Sequence, residues 1–227
     1  MAGLDCEFWT KEINKHIKRR LEMKKENYLC LNGQKIELTK EQLAKIRDSV
    51  VKKTRLSEKE VGEIVTIGEY DYIVLEQNKF TCTTSLLMKD LLEDGVKFGD
   101  TADFKTSDVK KLLDKFALEL EKEVGEDNVI EHTVDLTADD GLKDYGNTTA
   151  KVSLLTCDLY RKFVYVIDKF KLDKWWWLAT PFSTPTHDYS TLVKCVSPRG
   201  DISGYYYFYD GYGVRPFCIL NSNIFVS

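Results

Sequence analysis

The chain has 227 residues and a mass of 26.3 kDa, which suffices for one large domain or for one domain with a smaller appendage. Its composition is typical of a globular protein, with 43% hydrophobic and 31% charged residues. No apolar run reaches the roughly 18 residues that a membrane helix needs, so we expect no membrane insertion. A net charge of −4 argues against nucleic acid as the main partner.

The six cysteines are expected as thiols. The N-terminal residues show no basic region followed by an apolar core, so we expect no signal peptide and therefore no oxidising compartment. Four cysteines lie in or beside apolar runs and are expected mainly as small buried hydrophobes: Cys82, Cys157, Cys195 and Cys218. No Cys-x-x-Cys pair is present, and the acidic loop 135–146 lacks the spacing of a calcium loop. We therefore expect no metal and no cofactor.

Residues 1–60 predict a small appendage of helices and one hairpin. A narrow apolar stripe indicates a helix over residues 8–26. Asn32 and Gly33 separate two short alternating runs, which is a strong hairpin signal because both turn positions need positive φ. Thr39 and Gln42 form a capping box for a second helix that directs Leu43, Ile46 and Val50 inward.

Residues 61–227 predict a separate domain of the α+β class. Runs of β-branched and aromatic residues predict strands at 64–67, 70–75 and 80–84. A helix is expected from Ser107 to Gly125, and another after Thr156, which follows a strand at 152–155. Strands and helices do not alternate regularly and no glycine-rich phosphate turn is present, which favours α+β over a doubly wound sheet.

The last 53 residues, 175–227, differ from the remainder of the chain. They hold thirteen of its 27 aromatic residues but only six charged ones. Apolar blocks alternate with runs of Tyr, Ser and Gly, a combination typical of recognition surfaces. We expect Trp176 and Trp177 to belong to the core. Arg215, in a nearly uncharged segment, is expected to be buried and paired.

Residues 61–227 resemble a bacterial and phage domain family of C-type-lectin-like fold. The most specific motifs are Trp176-Trp177-Leu178-Ala179-Thr180-Pro181, a glycine turn at 200–202, and Gly213-Val214-Arg215-Pro216. The opening segment Val61–Glu76 is also similar to the first strands of that family. The segment 175–227 is similar to the variable region of target proteins of diversity-generating retroelements.

The resemblance implies a non-catalytic protein that displays variable side chains to bind a protein or cell-surface ligand. It implies a location in the cytoplasm of the producing cell or in a phage particle, and leaves open a homo-oligomer or a phage assembly. Two alternatives remain: a structural component of a phage particle, and a cysteine-dependent oxidase of the formylglycine-generating type using Cys195 and Cys218. No Ser, His and acid arrangement suggests an enzyme.

Strand alternation predicts that Tyr205, Tyr207, Tyr209 and Tyr212 face solvent, whereas Tyr206 and Phe208 face inward. The polar loop 183–190 lies in the position that matches the variable region. The predicted ligand-binding residues are Ser183, Thr186, His187, Asp188, Tyr189, Tyr205, Tyr207, Tyr209, Asp210 and Tyr212.

Overall fold

The computed structural model describes residues 28–31, 34–37, 39, 41, 54–187 and 189–227. The chain divides into two compact units, Met1–Val51 and Lys52–Ser227. In the first unit, β1 (Tyr28–Leu31) pairs antiparallel with β2 (Gln34–Glu37). This pairing confirms the predicted hairpin. Its turn residues, the helix predicted over 8–26 and most of the helix predicted after Thr39 lie outside the described residues.

The second unit begins earlier than the predicted boundary at residue 61. Strand β3 (Thr54–Arg55) pairs antiparallel with the C-terminal strand Phe225–Val226. Leu56 is fully buried, and its N–H donates to the Ile224 carbonyl at 2.9 Å. Residues 54–60 therefore belong to the second unit, because its last strand and its core both depend on them.

The described part of the second unit contains two α-helices and fifteen strands. The helices are α1 (Asp108–Val124) and α2 (Cys157–Ile167). After β3, the strands are β4 (Ile64–Ile67), β5 (Tyr70–Asn78), β6 (Thr83–Met88), β7 (Glu93–Val96), β8 (Val129–Ile130), β9 (His132–Asp135), β10 (Asn147–Ala150), β11 (Val152–Ser153), β12 (Trp176–Pro181), β13 (Leu192–Val196), β14 (Ile202–Tyr206), β15 (Tyr212–Val214), β16 (Phe217–Asn221) and β17 (Phe225–Val226). The predicted α+β class is confirmed.

Two large sheets organise this unit. One has the strand order β11-β16-β6-β5-β4, with β8 also pairing on β16. The other has the order β14-β13-β12-β15-β7. In the second sheet β12 and β15 run parallel, with Trp176 opposite Gly213, and the other pairs are antiparallel. Strand β14 therefore forms one edge of a sheet whose centre is built from the tryptophan block.

Both helices begin as their sequences predict, and α1 also ends where expected. The Ser107 hydroxyl accepts a hydrogen bond from the Lys110 N–H at the start of α1, and Gly125 ends this helix with φ of 90°. The Thr156 hydroxyl accepts from the Leu159 N–H at the start of α2. These side chains satisfy backbone donors that the first turn of a helix leaves free.

The strand predicted over 80–84 begins later than expected. The Asn78 side-chain oxygen accepts hydrogen bonds from the Phe80 and Thr81 N–H groups, which holds a turn, and β6 starts only at Thr83. Phe80 is 98% exposed, and Cys82 is exposed with φ of 53°. The prediction that Cys82 is buried is therefore wrong, because the asparagine competes locally with strand formation.

The core lies on both faces of the two sheets. Trp177 and Tyr72 pack in a first core that α1 covers, whereas their neighbours Trp176 and Ile73 pack in a second core that α2 covers. Successive strand residues point to opposite faces, so the adjacent tryptophans serve both cores. Both rings are almost completely buried, which confirms their predicted place in the core.

Arg215, which follows β15, is fully buried. Its Nε donates to the Met88 carbonyl at 2.9 Å, and its Nη2 donates to the carbonyls of Lys89 at 2.7 Å and Phe170 at 3.1 Å. The guanidinium carbon lies 5.3 Å from the centre of the Trp176 ring. Burial lowers the pKa of Arg215 to about 10. The predicted burial is confirmed, whereas the partners are backbone carbonyls and not an acidic side chain, and Nη1 has no hydrogen-bond partner among the described residues.

Candidate ligand-binding site

Four exposed aromatic residues lie at the end of β14 and in the turn that follows it. We call them the aromatic cluster: Tyr205, Tyr206, Phe208 and Tyr209, with 39%, 47%, 58% and 40% of their surface exposed. The rings of Tyr205 and Tyr209 meet edge to face at 4.7 Å, and those of Tyr206 and Phe208 stack at 5.1 Å. These contacts hold each exposed ring against another ring.

The predicted alternation fails within this cluster. Tyr206 and Phe208 were expected inside but are exposed, because β14 ends at Tyr206 and a turn follows, closed by the Tyr209 N–H donating to the Tyr206 carbonyl at 3.0 Å. Tyr212 was expected outside but is only 7% exposed, since it lies in β15 and packs against Trp177. Tyr207 is half-buried against the first core.

Gly211 determines where the Tyr209 ring can lie. A Cβ atom at position 211 would come within 2.4 Å of that ring, closer than any real side chain permits. Replacing Gly211 would therefore displace Tyr209 from the cluster, although Gly211 itself offers no side chain to a ligand. The neighbouring Asp210, a predicted binding residue, is exposed.

An open depression of about 540 Å³ lies in the loop between β12 and β13. Its lining residues are Asp140, Phe182, Ser183, Pro185, Thr186, His187 and Tyr189. Thr186, His187 and Tyr189 are exposed, as a binding role requires, whereas Ser183 is 2% exposed and cannot present its side chain to a partner. The remaining predicted loop residue, Asp188, lies outside the described residues.

The depression adjoins the aromatic cluster through Phe182. A Cβ atom at Gly204 would lie 3.1 Å from the Phe182 ring, so this ring covers the glycine. Gly204 and Tyr206 are two residues apart on β14 and therefore lie on the same face of the strand. Phe182 also meets Tyr189 edge to face at 6.2 Å. This links the depression to Tyr206, which was predicted to face inward, and not to the predicted residue Tyr205, which lies on the other face of the strand.

The acidic loop 136–146 supports the depression. Asp144 accepts hydrogen bonds from the Thr184 hydroxyl at 2.5 Å and the Thr186 hydroxyl at 2.6 Å. His187 Nδ1 lies 3.2 Å from an Asp140 oxygen. The Thr184 and Thr186 hydroxyls lower the pKa of Asp144. No group of three potential metal ligands occurs in the ranges that the structure describes.

Asp139 anchors the same loop to β13 and α2. Lys194 is 7% exposed and donates to Asp139 at 2.9 Å, while Arg161 donates to its other oxygen at 3.1 Å. Partial burial raises the pKa of Asp139, but the hydrogen bonds from Lys194 and Arg161 outweigh it and hold the pKa below its usual range. The Lys194 ammonium also lies 5.0 Å from the centre of the Phe182 ring, which fixes this wall of the depression.

Three of the cysteines in the described residues, Cys157, Cys195 and Cys218, are buried thiols. Burial raises the pKa of Cys157 to about 11 and that of Cys195 and Cys218 to about 12. They are therefore protonated near neutral pH, whereas a nucleophilic or redox cysteine needs a lowered pKa. This chemistry argues against the oxidase alternative for Cys195 and Cys218.

Sequence reasoning did not include five residues of this surface: Asp140, Asp144, Phe182, Tyr206 and Phe208. The sequence did contain a signal that Tyr206 and Phe208 would not alternate with their neighbours. Gly204 and Gly211 flank the aromatic run 205–208 and make a long regular strand improbable. No local signal links Asp144 to Thr184, since the two are 40 positions apart.

No family model, curated protein or solved structure matches this chain. Within the ranges that the structure describes, every helix is too short or too polar to cross a bilayer.

Proposed function

We propose that this chain is a non-catalytic binding protein whose aromatic cluster and adjoining depression recognise a protein or cell-surface ligand. In this proposal the second unit has a C-type-lectin-like fold, and residues 175–227 serve as the variable region does in proteins of diversity-generating retroelements. The observation that carries the proposal is the cluster itself: four neighbouring aromatic side chains, each 39–58% exposed, on an edge strand and its turn.

The chemistry of the cluster fits recognition better than packing. Tyrosine combines a large apolar ring with a hydroxyl that can remain hydrated, so it tolerates exposure before a partner binds. Aromatic residues are enriched among those that dominate the affinity of protein interfaces. Contiguous exposed apolar patches are also uncommon on proteins that have no partner.

The frame beneath the cluster fits the same function. Strand β14 pairs over its whole length with β13, which contributes Val193 and Cys195 to the first core. The exposed aromatic residues on this strand can therefore be substituted with little effect on the packing of the core. A surface that varies while its support stays constant is the arrangement that a retroelement variable protein requires.

Site-specific photo-crosslinking tests the proposal even while the ligand is unidentified. A benzophenone amino acid replaces Tyr206 or Phe208 in the full chain, which is then irradiated in cells of its natural source. The same amino acid at Phe80 or Tyr165, which are 98% and 87% exposed outside the cluster, provides matched controls.

We expect one adduct from positions 206 and 208 that the controls do not give, and saturable binding once the crosslinked molecule is purified. Equal adducts from all four positions would contradict the proposal. A specific adduct with a neighbouring particle protein that never dissociates would instead support the structural-component alternative.

A further inference from the structure

Three tyrosine rings meet at one end of the second sheet. The rings of Tyr205 and Tyr209 lie 4.7 Å apart, and they lie 5.4 Å and 5.2 Å from the ring of Tyr212. We call these three rings the tyrosine face. Tyr212 is 7% exposed and forms its floor, whereas Tyr205 and Tyr209 keep 39% and 40% of their surface exposed. The rings are inclined to one another by 46° to 79°, so no two of them cover each other face to face.

The chemistry of these rings favours a positively charged partner. The face of an aromatic ring carries negative electrostatic potential, which attracts a cation that lies within about 6 Å of the ring centre. Because the rings of Tyr205 and Tyr209 touch, one cation can lie within that distance of both. An uncharged apolar group would gain contact area at the same place, but not this attraction.

The segments around the tyrosine face carry a surplus of acids. They are residues 93–100, whose strand pairs with β15, residues 173–174 before Trp175, whose ring stacks on Tyr212, and the turn 207–211. Their charged residues are five acids and two lysines: Glu93, Asp94, Asp100, Asp173, Asp210, Lys97 and Lys174.

Both of these lysines are already paired. Lys97 lies 2.9 Å from Asp100 and 3.2 Å from Asp108, and Lys174 pairs with Asp94. In contrast, the acids at 93, 173 and 210 are exposed and make no ion pair with another described residue. The charge that remains beside the tyrosine face is therefore negative.

The basic residues farther away do not reverse this balance, because each has an acid beside it. Arg199, beyond the other end of β14, is two positions before Asp201, and Lys143 precedes Asp144. Three further lysines are paired: Lys105 at 3.7 Å from Asp103, Lys171 at 2.8 Å from Asp168, and Lys194 at 2.9 Å from Asp139. A cation that approaches the tyrosine face thus meets a negative surplus.

We propose that the tyrosine face and Asp210 bind an arginine side chain of a protein ligand. This inference rests on the proposed function and names the chemistry of the partner. A guanidinium is planar and weakly hydrated, so it stacks on an aromatic ring more readily than a lysine ammonium does. The Tyr209 ring lies against Gly211 and so stays beside Asp210. The carboxylate of Asp210 can accept two parallel hydrogen bonds from the same guanidinium.

Titration of the isotope-labelled full chain with Nα-acetyl-arginine amide, followed by NMR, tests the arginine site. Nα-acetyl-citrulline amide has nearly the same shape without the charge and is the matched control. We expect the arginine amide to shift the amide signals of residues 205–212 saturably, with a Kd of about 1–10 mM. The citrulline amide should bind at least about fivefold more weakly, because it lacks the attraction to the rings.

Three variants separate the ring from the hydroxyl and the carboxylate. Tyr209→Phe keeps the ring and should bind the arginine amide as wild type does, whereas Tyr209→Leu should bind it at least about fivefold more weakly. Asp210→Asn, at an exposed position, should weaken binding about threefold, because a neutral amide accepts a weaker hydrogen bond than a carboxylate.

Equal binding of the two amides, or an equal loss of binding in Tyr209→Phe and Tyr209→Leu, would overturn the inference. Choline that binds more tightly than the arginine amide would place a lipid headgroup on the tyrosine face and would overturn it as well.

The purified ligand of the crosslinking experiment separates this inference from the proposed function. Tyr206 meets Tyr205 at 5.7 Å, so the crosslinking position adjoins the tyrosine face. Replacing one exposed arginine of that ligand by alanine should weaken its binding at least about tenfold. A ligand that tolerates every such replacement would overturn the arginine inference and leave the proposed function intact. Bound arginine amide without any specific crosslink would contradict the proposed function alone.

Discussion

Arg215 joins three segments of the second unit through a single guanidinium. Its acceptors are the carbonyls of Met88, Lys89 and Phe170, which lie at the end of β6 and after α2. If the arginine is removed, these carbonyls lose their hydrogen-bond donor. A buried polar group that lacks a partner lowers the stability of the fold. The planar shape of the guanidinium also fits the Trp176 ring, which a lysine ammonium could not match.

Arg215→Ala should therefore destabilise the protein by about 3–5 kcal/mol, because three buried carbonyls lose their donor at a cost of about 1–3 kcal/mol each. Urea denaturation measures the change. Lys79→Ala, an exposed position in the β5–β6 turn, serves as the control and should shift stability by less than about 0.5 kcal/mol. An Arg215→Ala variant as stable as this control would remove Arg215 from the frame.

His132 should make stability depend on pH. Its ring meets Phe217 edge to face at 5.3 Å and its Nε2 lies 2.9 Å from the Ser153 hydroxyl. Burial lowers the pKa of His132 below its ordinary value of 6.5. The folded state therefore favours the neutral ring. The contribution of His132 to the free energy of unfolding is complete above pH 6.5 and is lost as the pH falls below that value.

We expect the melting temperature of the wild type to fall between about pH 8 and about pH 5, where histidines titrate. His132→Asn, which cannot titrate in this range, should show a smaller fall. The carboxylates with lowered pKa values, such as Asp140 and Asp144, lose their charge only at lower pH. Parallel pH profiles for the two proteins would show that His132 is not the cause.

The loop between β12 and β13 depends on a second loop for its shape. Asp144 holds both Thr184 and Thr186, and Asp139 joins Lys194 to Arg161. These contacts connect elements that are far apart in the sequence. The loop that forms the depression is therefore held in place by residues of the acidic loop. Its exposed residues could be substituted without changing the residues that hold it.

Asp144→Ala should loosen this loop without unfolding the domain. The Thr184 and Thr186 hydroxyls lose their acceptor, so the amides of residues 183–187 should exchange at least about tenfold faster, because exchange reports local opening. The melting temperature should fall only modestly, since Asp144 is exposed although the Thr184 hydroxyl that loses its acceptor is buried. Lys143→Ala in the same loop is the control, and equal exchange in the two variants would contradict the supporting role.

Elements determined by local chemistry could be predicted, and those determined by long-range pairing could not. The start of α1 at Ser107 and its end at Gly125 follow from side-chain capping and a positive φ, both of which the sequence shows directly. The inward placement of Tyr212 depends on β15 joining β12 in parallel, a pairing that no local pattern specifies. The exposure of Phe208 depends on where β14 ends.

The two compact units lead to a prediction about the whole chain. Residues 52–227 should fold by themselves, because β3 pairs with the last strand, β17, and Leu56 fills part of the core of that unit. A chain of residues 61–227, the boundary that the sequence suggests, loses both. Deleting a buried leucine alone typically costs about 2–5 kcal/mol.

Thermal melts of the two shortened chains test this boundary. The 52–227 chain should melt as the second unit does in the full protein, and the 61–227 chain should melt well below it. Equal melting temperatures would mean that the β3–β17 pair and Leu56 contribute little, and that the boundary belongs at residue 61.

At the scale of the whole molecule, the sequence predicted the α+β class and the segment that carries the exposed aromatic cluster. The aromatic content of residues 175–227 was sufficient for that, since a rigid frame needs buried tryptophans and a recognition surface needs exposed tyrosines. The arrangement of individual rings required the strand ends and the sheet order, which determine that Tyr206 is outside and Tyr212 inside.

The most direct test of the binding function is calorimetric affinity for the purified ligand of the crosslinking experiment. Wild type is compared with Tyr206→Ser/Phe208→Ser and with the control pair Phe80→Ser/Tyr165→Ser, which removes two more exposed aromatic residues elsewhere. We expect the cluster variant to bind at least about tenfold more weakly, with an unchanged melting temperature, and the control to bind as wild type. Equal affinity in the two variants, or a loss of stability in the cluster variant, would contradict the account.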